Sequence, residues 1–196
     1  MADAEAGLIG WERALMAAEK VKERLRRATK ALDDARVPYA VAGGNAVAEW
    51  VARADEGAVR NTRDVDLLLR RIDLAVARTA LEAAGFVYYQ LLDVDMFLDG
   101  PQGRPSEAVH ILFAGEKMRP DYEHASPDLD ESERAAEFQV ATLKALVRMK
   151  LIANRRKDQV HLLDLIGVGL IDATWPARFP PPLGERLQQL LDDPNG

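Results

Sequence analysis

From residue 11 to about 36, apolar side chains recur every three or four positions. Leu15, Ala18, Val21, Leu25, Ala28 and Leu32 carry the rhythm, and Lys20, Lys22, Glu23, Arg26 and Arg27 fall between them. That is the period of an amphipathic packing helix. Val37-Pro38 should end it, because a residue before proline avoids the helical region. The rhythm then shortens. The apolar run Tyr39–Ala42 is broken by Gly43 and Gly44, and Asn45 is placed to cap a short helix from Ala46 to about Ala54. A polar loop from Asp55 to Arg63, holding Arg60, Thr62 and Arg63, leads to a strand from Asp64 to Arg70 and a helix from Asp73 to Ala84 that stops at Gly85. Phe86–Leu92, Val94–Leu98 and Ala108–Ala114 have strand composition, with dense turn residues at 99–103. The middle of the chain is thus predicted as β-α-β-α-β-β-β.

After Gly115 the texture changes. Residues 116–133 are polar and without period; helical patterns follow at Ala135–Ala153 and Gln159–Gly167. Pro176, Pro180, Pro181 and Pro182 predict extended chain before a last helix around Leu183–Leu191. The expected organisation is an N-terminal helix (1–36), a mixed α/β core (37–115), a connector (116–134) and a C-terminal helical module with a Pro-rich tail (135–196). The fold class is α+β, a small mixed sheet flanked by helices.

Composition narrows the function. In 196 residues, 26 Lys and Arg stand against 32 Asp and Glu, a net charge of −6 that argues against a DNA-coating role. The absence of cysteine removes disulfides, thiolate zinc sites and a cysteine nucleophile, and three histidines are too few for a His-rich metal centre. No apolar run approaches the roughly 20 residues that span a bilayer, and the acidic start MADAEAGLIGWERAL is not a secretory leader. A cytoplasmic protein is expected.

The candidate chemistry lies in two places. Asp64 and Asp66 share one face of their strand, with Val65, Leu67 and Leu69 on the other. Two adjacent carboxylates on an otherwise apolar strand repel unless a cation compensates, and Mg²⁺ suits hard oxygen ligands. Gly43 and Gly44, before a helix N-terminus, offer unobstructed N–H groups to a phosphate. In the second place, Leu143, Leu146, Val147 and Lys150 follow helical spacing, which puts an ammonium on an apolar stripe. It either snorkels to the surface or points at a phosphate. Arg155, Arg156 and Lys157 would follow at that helix's C-terminus, and Asp158 would either cap the next helix or support the cleft.

In this order, YAVAGGNA (39–46), RNTRDVDL (60–67), MKL (149–151) and RRKDQVHLLDL (155–165) resemble the nucleotidyltransferase superfamily, the polymerase-β-like fold, and within it the small bacterial branch of the AbiEii-type toxins. The resemblance spans roughly residues 37–170. It implies that Asp64 and Asp66 hold Mg²⁺ and align a nucleoside triphosphate. Gly43, Gly44, Asn45, Arg63, Lys150, Lys157 and Asp158 would form the nucleotide site. Such enzymes normally carry a third carboxylate on a later strand; here that position is His110, a candidate base or metal ligand, with Asp95 as a fallback carboxylate. The expected activity is transfer of a nucleoside monophosphate to an acceptor hydroxyl on RNA, a protein or a small molecule. The alternatives are an impaired member that binds nucleotide or a partner without turnover, and a purely structural interaction protein.

Overall fold

The computed structural model describes residues 2–193. Helix α1 (Ala2–Asp34) is followed by β1 (Tyr39–Ala42), α2 (Gly43–Ala54), β2 (Val65–Leu69), α3 (Leu74–Ala83), β3 (Val87–Leu91), β4 (Val94–Leu98) and β5 (Val109–Phe113). Two short strands, β6 (Ser132–Arg134) and β7 (Gln139–Ala141), come next. The helices α4 (Leu143–Ala153), α5 (Arg156–Gly167) and α6 (Pro181–Asp192) complete the chain. The strands make one seven-stranded sheet in the order β3-β4-β5-β2-β1-β7-β6. The β-α-β-α-β-β-β expectation therefore holds, and α1 ends where the proline signal placed its end.

Alternation along the central strands sorts the side chains onto two faces. Val65, Leu67, Leu69, Val109, Ile111 and Phe97 point into the main core, where Leu25, Ala28 and Leu32 of α1 and Ala77 and Leu81 of α3 cover them. The opposite face is lined by Ala40 and Leu68, covered by Leu129, and by the polar groups described below. The three C-terminal helices form a module in which α4 packs against α2, α5 and α6.

Four local expectations are corrected. The region 116–142 is not a featureless connection followed by a helix from Ala135. It turns back to form the β6–β7 hairpin, which adds to the sheet beside β1, and α4 begins only at Leu143 with Thr142 as its N-cap. Strands of three residues are too short to leave a period. Helix α2 starts at Gly43, because a φ of 63° there, natural to glycine, turns the chain directly into the helix; Ala42, not Asn45, is the capping residue. Helix α4 stops at Asn154, left-handed with φ 45°, so Arg155, Arg156 and Lys157 sit at the N-terminus of α5 rather than the C-terminus of α4. Pro181 and Pro182 occupy the first turn of α6, where a missing N–H costs nothing, and Pro176 opens a 3₁₀ turn.

Candidate active site

Register brings three separate segments together. β1 pairs antiparallel with β2, so Ala42 lies beside Asp66; β2 pairs parallel with β5, so Asp66 lies beside His110. Ligand-capable atoms of Asp64, Asp66 and His110 all fall within 4.8 Å of one another. His110 Nδ1 stands 3.8 Å from an Asp64 carboxylate oxygen and 3.7 Å from one of Asp66. Both distances are too long for hydrogen bonds. Its Nε2 lies 2.9 Å from the Pro105 carbonyl, which can only accept, so the ring proton is on Nε2. In the neutral imidazole the Nδ1 lone pair therefore faces two carboxylates, and three acceptors converge on one point. Only a proton on Nδ1 or a cation among the three relieves that arrangement. A histidine that gives its far N–H to a backbone carbonyl is also the usual posture of a metal ligand. Asp66 and Asp64 raise the His110 pKa above its ordinary value against the opposing effect of burial.

The glycine pair has a steric purpose. A Cβ on Gly43 would lie 1.8 Å from Asp66 Oδ2, and one on Gly44 would lie 2.9 Å from Thr62 Oγ1. The Thr62 hydroxyl in turn donates to Asp64 Oδ1 at 2.7 Å. Burial alone would raise the Asp64 carboxyl; this hydrogen bond, the nearby Lys157 and His110 hold it below its ordinary value. Asn45 donates from Nδ2 to the Asp64 carbonyl at 2.7 Å and faces a hollow beside α1 rather than the cleft. It fixes the start of β2 and does not join Gly43 and Gly44 there.

Lys150 does not snorkel. Its side chain is only 7% exposed and is ion-paired at 3.2 Å with Asp158, itself 1% exposed. Arg155 also binds Asp158, at 2.6 Å. Burial pulls the Lys150 ammonium below its ordinary value against the attraction of Asp158 and Asp66. Burial likewise opposes ionisation of Asp158, but Arg155 and Lys150 outweigh it and hold that carboxyl low. Asp158 also accepts from the Arg155 backbone N–H at 3.3 Å; the N-cap of α5 is therefore Arg155, and Asp158, three residues on, is its reciprocal partner rather than the cap itself.

Two hollows meet at the acidic pair. The smaller, about 310 Å³, is polar: Gly44, Thr62, Arg63, Ser106, Lys157 and His161 are among its walls. The larger, about 490 Å³, is walled by His110 and Gly43 and beyond them by Leu112, Met118, Tyr122 and Met149. Asp64, Asp66, Lys150, Arg155 and Lys157 line both. Asp95 is not part of either. It pairs with Gln90 across the β3–β4 ladder while its neighbour Met96 pairs with His110, so Asp95 faces the opposite side, where it takes hydrogen bonds from Tyr88 and Gln90.

Several contributors carry no sequence signal. The Pro105 carbonyl, Thr62, and Met118 and Tyr122 from the polar stretch after β5 belong here, as does Arg24 on α1. Arg24 is buried and donates to Asp99 at 3.0 Å and to the Arg63 carbonyl at 3.0 Å, so one side chain ties together the loop entering β2 and the loop that carries Pro105.

No protein-family model and no curated protein matches the chain. Solved structures do. The antibiotic-resistance factor ANT(2'')-Ia in solution aligns with a TM-score of 0.56 at 15% identity, over 90% of this chain and 93% of that one. The crystal structure of ANT(2'')-Ia in complex with adenylyl-2''-tobramycin gives 0.55 at 16% identity, over 87% and 98%. A provisionally assigned nucleotidyltransferase from H. pylori gives 0.52 at 16% identity, over 91% and 78%. At these identities the likeness establishes the fold, which is that of the nucleotidyltransferases. Among the described residues no helix is long and apolar enough to cross a membrane.

Proposed function

We propose that this protein is a nucleotidyltransferase that uses Mg²⁺ to move a nucleoside monophosphate from a nucleoside triphosphate to an acceptor hydroxyl. The observation that carries this reading is the convergence of Asp64, Asp66 and His110 Nδ1, with the far side of the imidazole held by Pro105. The donor set fits a hard divalent cation, with two carboxylates and one imidazole in reach of one point. The bound ion would polarise the α-phosphate and offset charge in the transition state.

The chain's own groups then have distinct parts. Asp64, braced by Thr62, and Asp66, seated over Gly43, would fix the ion and the triphosphate. The N–H groups at the start of α2, with Arg63 and Lys157, would hold the β- and γ-phosphates in the polar hollow. Lys150 and Asp158 would set the field behind the pair. His110 would be the third ligand in the position the superfamily usually gives a carboxylate. In the transfer, the acceptor oxygen forms a bond to the α-phosphorus, the bond to the bridging oxygen breaks, pyrophosphate leaves and the acceptor proton passes to water. The likeness of the YAVAGGNA and RNTRDVDL segments to the AbiEii-type toxins makes tRNA one acceptor to include in any assay.

Titration with Mn²⁺, followed by electron paramagnetic resonance of the free ion, tests the site without needing an acceptor. One high-affinity site in the wild type should weaken at least tenfold in Asp64→Asn, Asp66→Asn and His110→Ala, with unchanged far-UV circular dichroism. Equal affinity in all four proteins would refute the site.

A further inference from the structure

Given the proposed reaction, the larger hollow is placed to take the acceptor. In phosphoryl transfer the attacking and leaving oxygens lie roughly in line through the phosphorus. With pyrophosphate held among Gly44, Arg63 and Lys157, attack has to come from across the acidic pair, the side on which His110 stands and the larger hollow opens. Its outer wall, formed by Val94, Leu112, Met118, Tyr122 and Met149, is apolar or aromatic, and Arg119 supplies a positive charge at its rim. Beyond the acidic pair, the one carboxylate lining it among the described residues is Asp158, which Lys150 and Arg155 already neutralise. A volume of about 490 Å³ suits a small molecule.

We infer that the acceptor is a small alcohol or phenol with an apolar body and no positive charge, bound in this hollow with its hydroxyl beside His110. The inference rests on the proposed transferase reading. It sets this chain apart from ANT(2'')-Ia, whose crystal structure holds adenylyl-2''-tobramycin. Tobramycin is a polycation and would need carboxylates that this wall lacks, while burying its ammonium groups against apolar side chains without partners is costly.

The test uses the full chain labelled with ¹³C at the methionine methyls. Met118 and Met149 line the hollow, whereas Met16, exposed on α1, lines neither hollow and serves as the control. Three probes are compared: 2-phenylethanol, 4-hydroxyphenylacetate and tobramycin, each with and without Mg²⁺ and a non-cleavable α,β-methylene ATP. Both alcohols should shift the Met118 and Met149 methyls at millimolar concentration, and tobramycin should leave them in place. In Met118→Asp, followed through Met149, the alcohols should bind about tenfold more weakly and tobramycin should begin to bind. Tobramycin binding to the wild type, or no shift from either alcohol, would overturn the inference. So would a shift of both methyls by the nucleotide analogue alone, because that would make the hollow the nucleoside's. Absence of any nucleotide binding would instead count against the transferase reading, with the hollow's preference still read from the nucleotide-free spectra.

Discussion

Gly43 shows how one residue can be required for two reasons at once. Its backbone has φ 63°, and the space a Cβ would fill is taken by Asp66 Oδ2. Gly43→Ala should cost about 1–2 kcal/mol in backbone strain, and it should also push the Asp66 carboxylate aside. Urea unfolding and Mn²⁺ titration together check this: stability falls modestly while metal affinity falls as far as in Asp66→Ala. Intact affinity would show that Asp66 can relocate. His161 makes a prediction of the opposite kind. Burial, aided by the Lys150 ammonium, pushes its imidazole down to about 4, and its Nδ1 has no hydrogen-bond partner among the described residues. A histidine with a folded-state pKa below its unfolded value near 6.5 contributes stability that is fully present above pH 6.5 and is lost as pH falls towards 4, because the unfolded chain takes up the proton first. With allowance for partial solvent screening the effect is about 2 kcal/mol. Unfolding free energies at pH 7 and pH 4.5 should therefore differ more in the wild type than in His161→Gln, and parallel losses would contradict the assignment.

At the scale of elements, a helix far from the chemistry holds it in register. α1 covers one face of the sheet through Leu25, Ala28 and Leu32, and its buried Arg24 ties the Arg63 carbonyl to Asp99. Arg24→Met keeps the packing volume but leaves Asp99 with Arg27 as its remaining cation and the Arg63 carbonyl without that donor. The expected cost is about 2–3 kcal/mol in urea unfolding. A several-fold weaker Mn²⁺ site should accompany it, because the loops bearing Asp64 and Pro105 lose their common anchor. Unchanged metal affinity in a destabilised protein would reduce Arg24 to a structural part. The strand and helix order from β1 to β5 could be read beforehand because the helices and β2 show a period of 3.6 or 2 and the other strands are apolar or strand-rich runs set off by glycine and turn residues. The same period put Asp64 and Asp66 on one face and Lys150 on a buried stripe. β6 and β7 could not be read so, since three-residue strands exist only by pairing with a distant β1. Thr62, the Pro105 carbonyl and Arg24 were equally silent, because each acts through a contact set by tertiary structure rather than by spacing.

For the whole molecule, the arrangement amounts to a sheet whose covered face supplies stability and whose opposite face presents an acidic pair between two hollows of different character. In the proposed reading the polar hollow, with its helix N-terminus and cations, would take the triphosphate; the other has apolar walls and His110 at its inner end. If His110 stands where the resemblance expects a third carboxylate, the site has one negative charge fewer but still a third ligand atom beside Asp64 and Asp66, so it is expected to turn over. The most direct test offers the purified protein each of the four nucleoside triphosphates labelled on the α-phosphate, with Mg²⁺ and a fractionated cell lysate, beside the double variant Asp64→Ala plus Asp66→Ala. The account predicts label transferred to an acceptor by the wild type and a loss of at least a hundredfold in the variant. Equal labelling by the two proteins, or none by the wild type with any nucleotide, would contradict it.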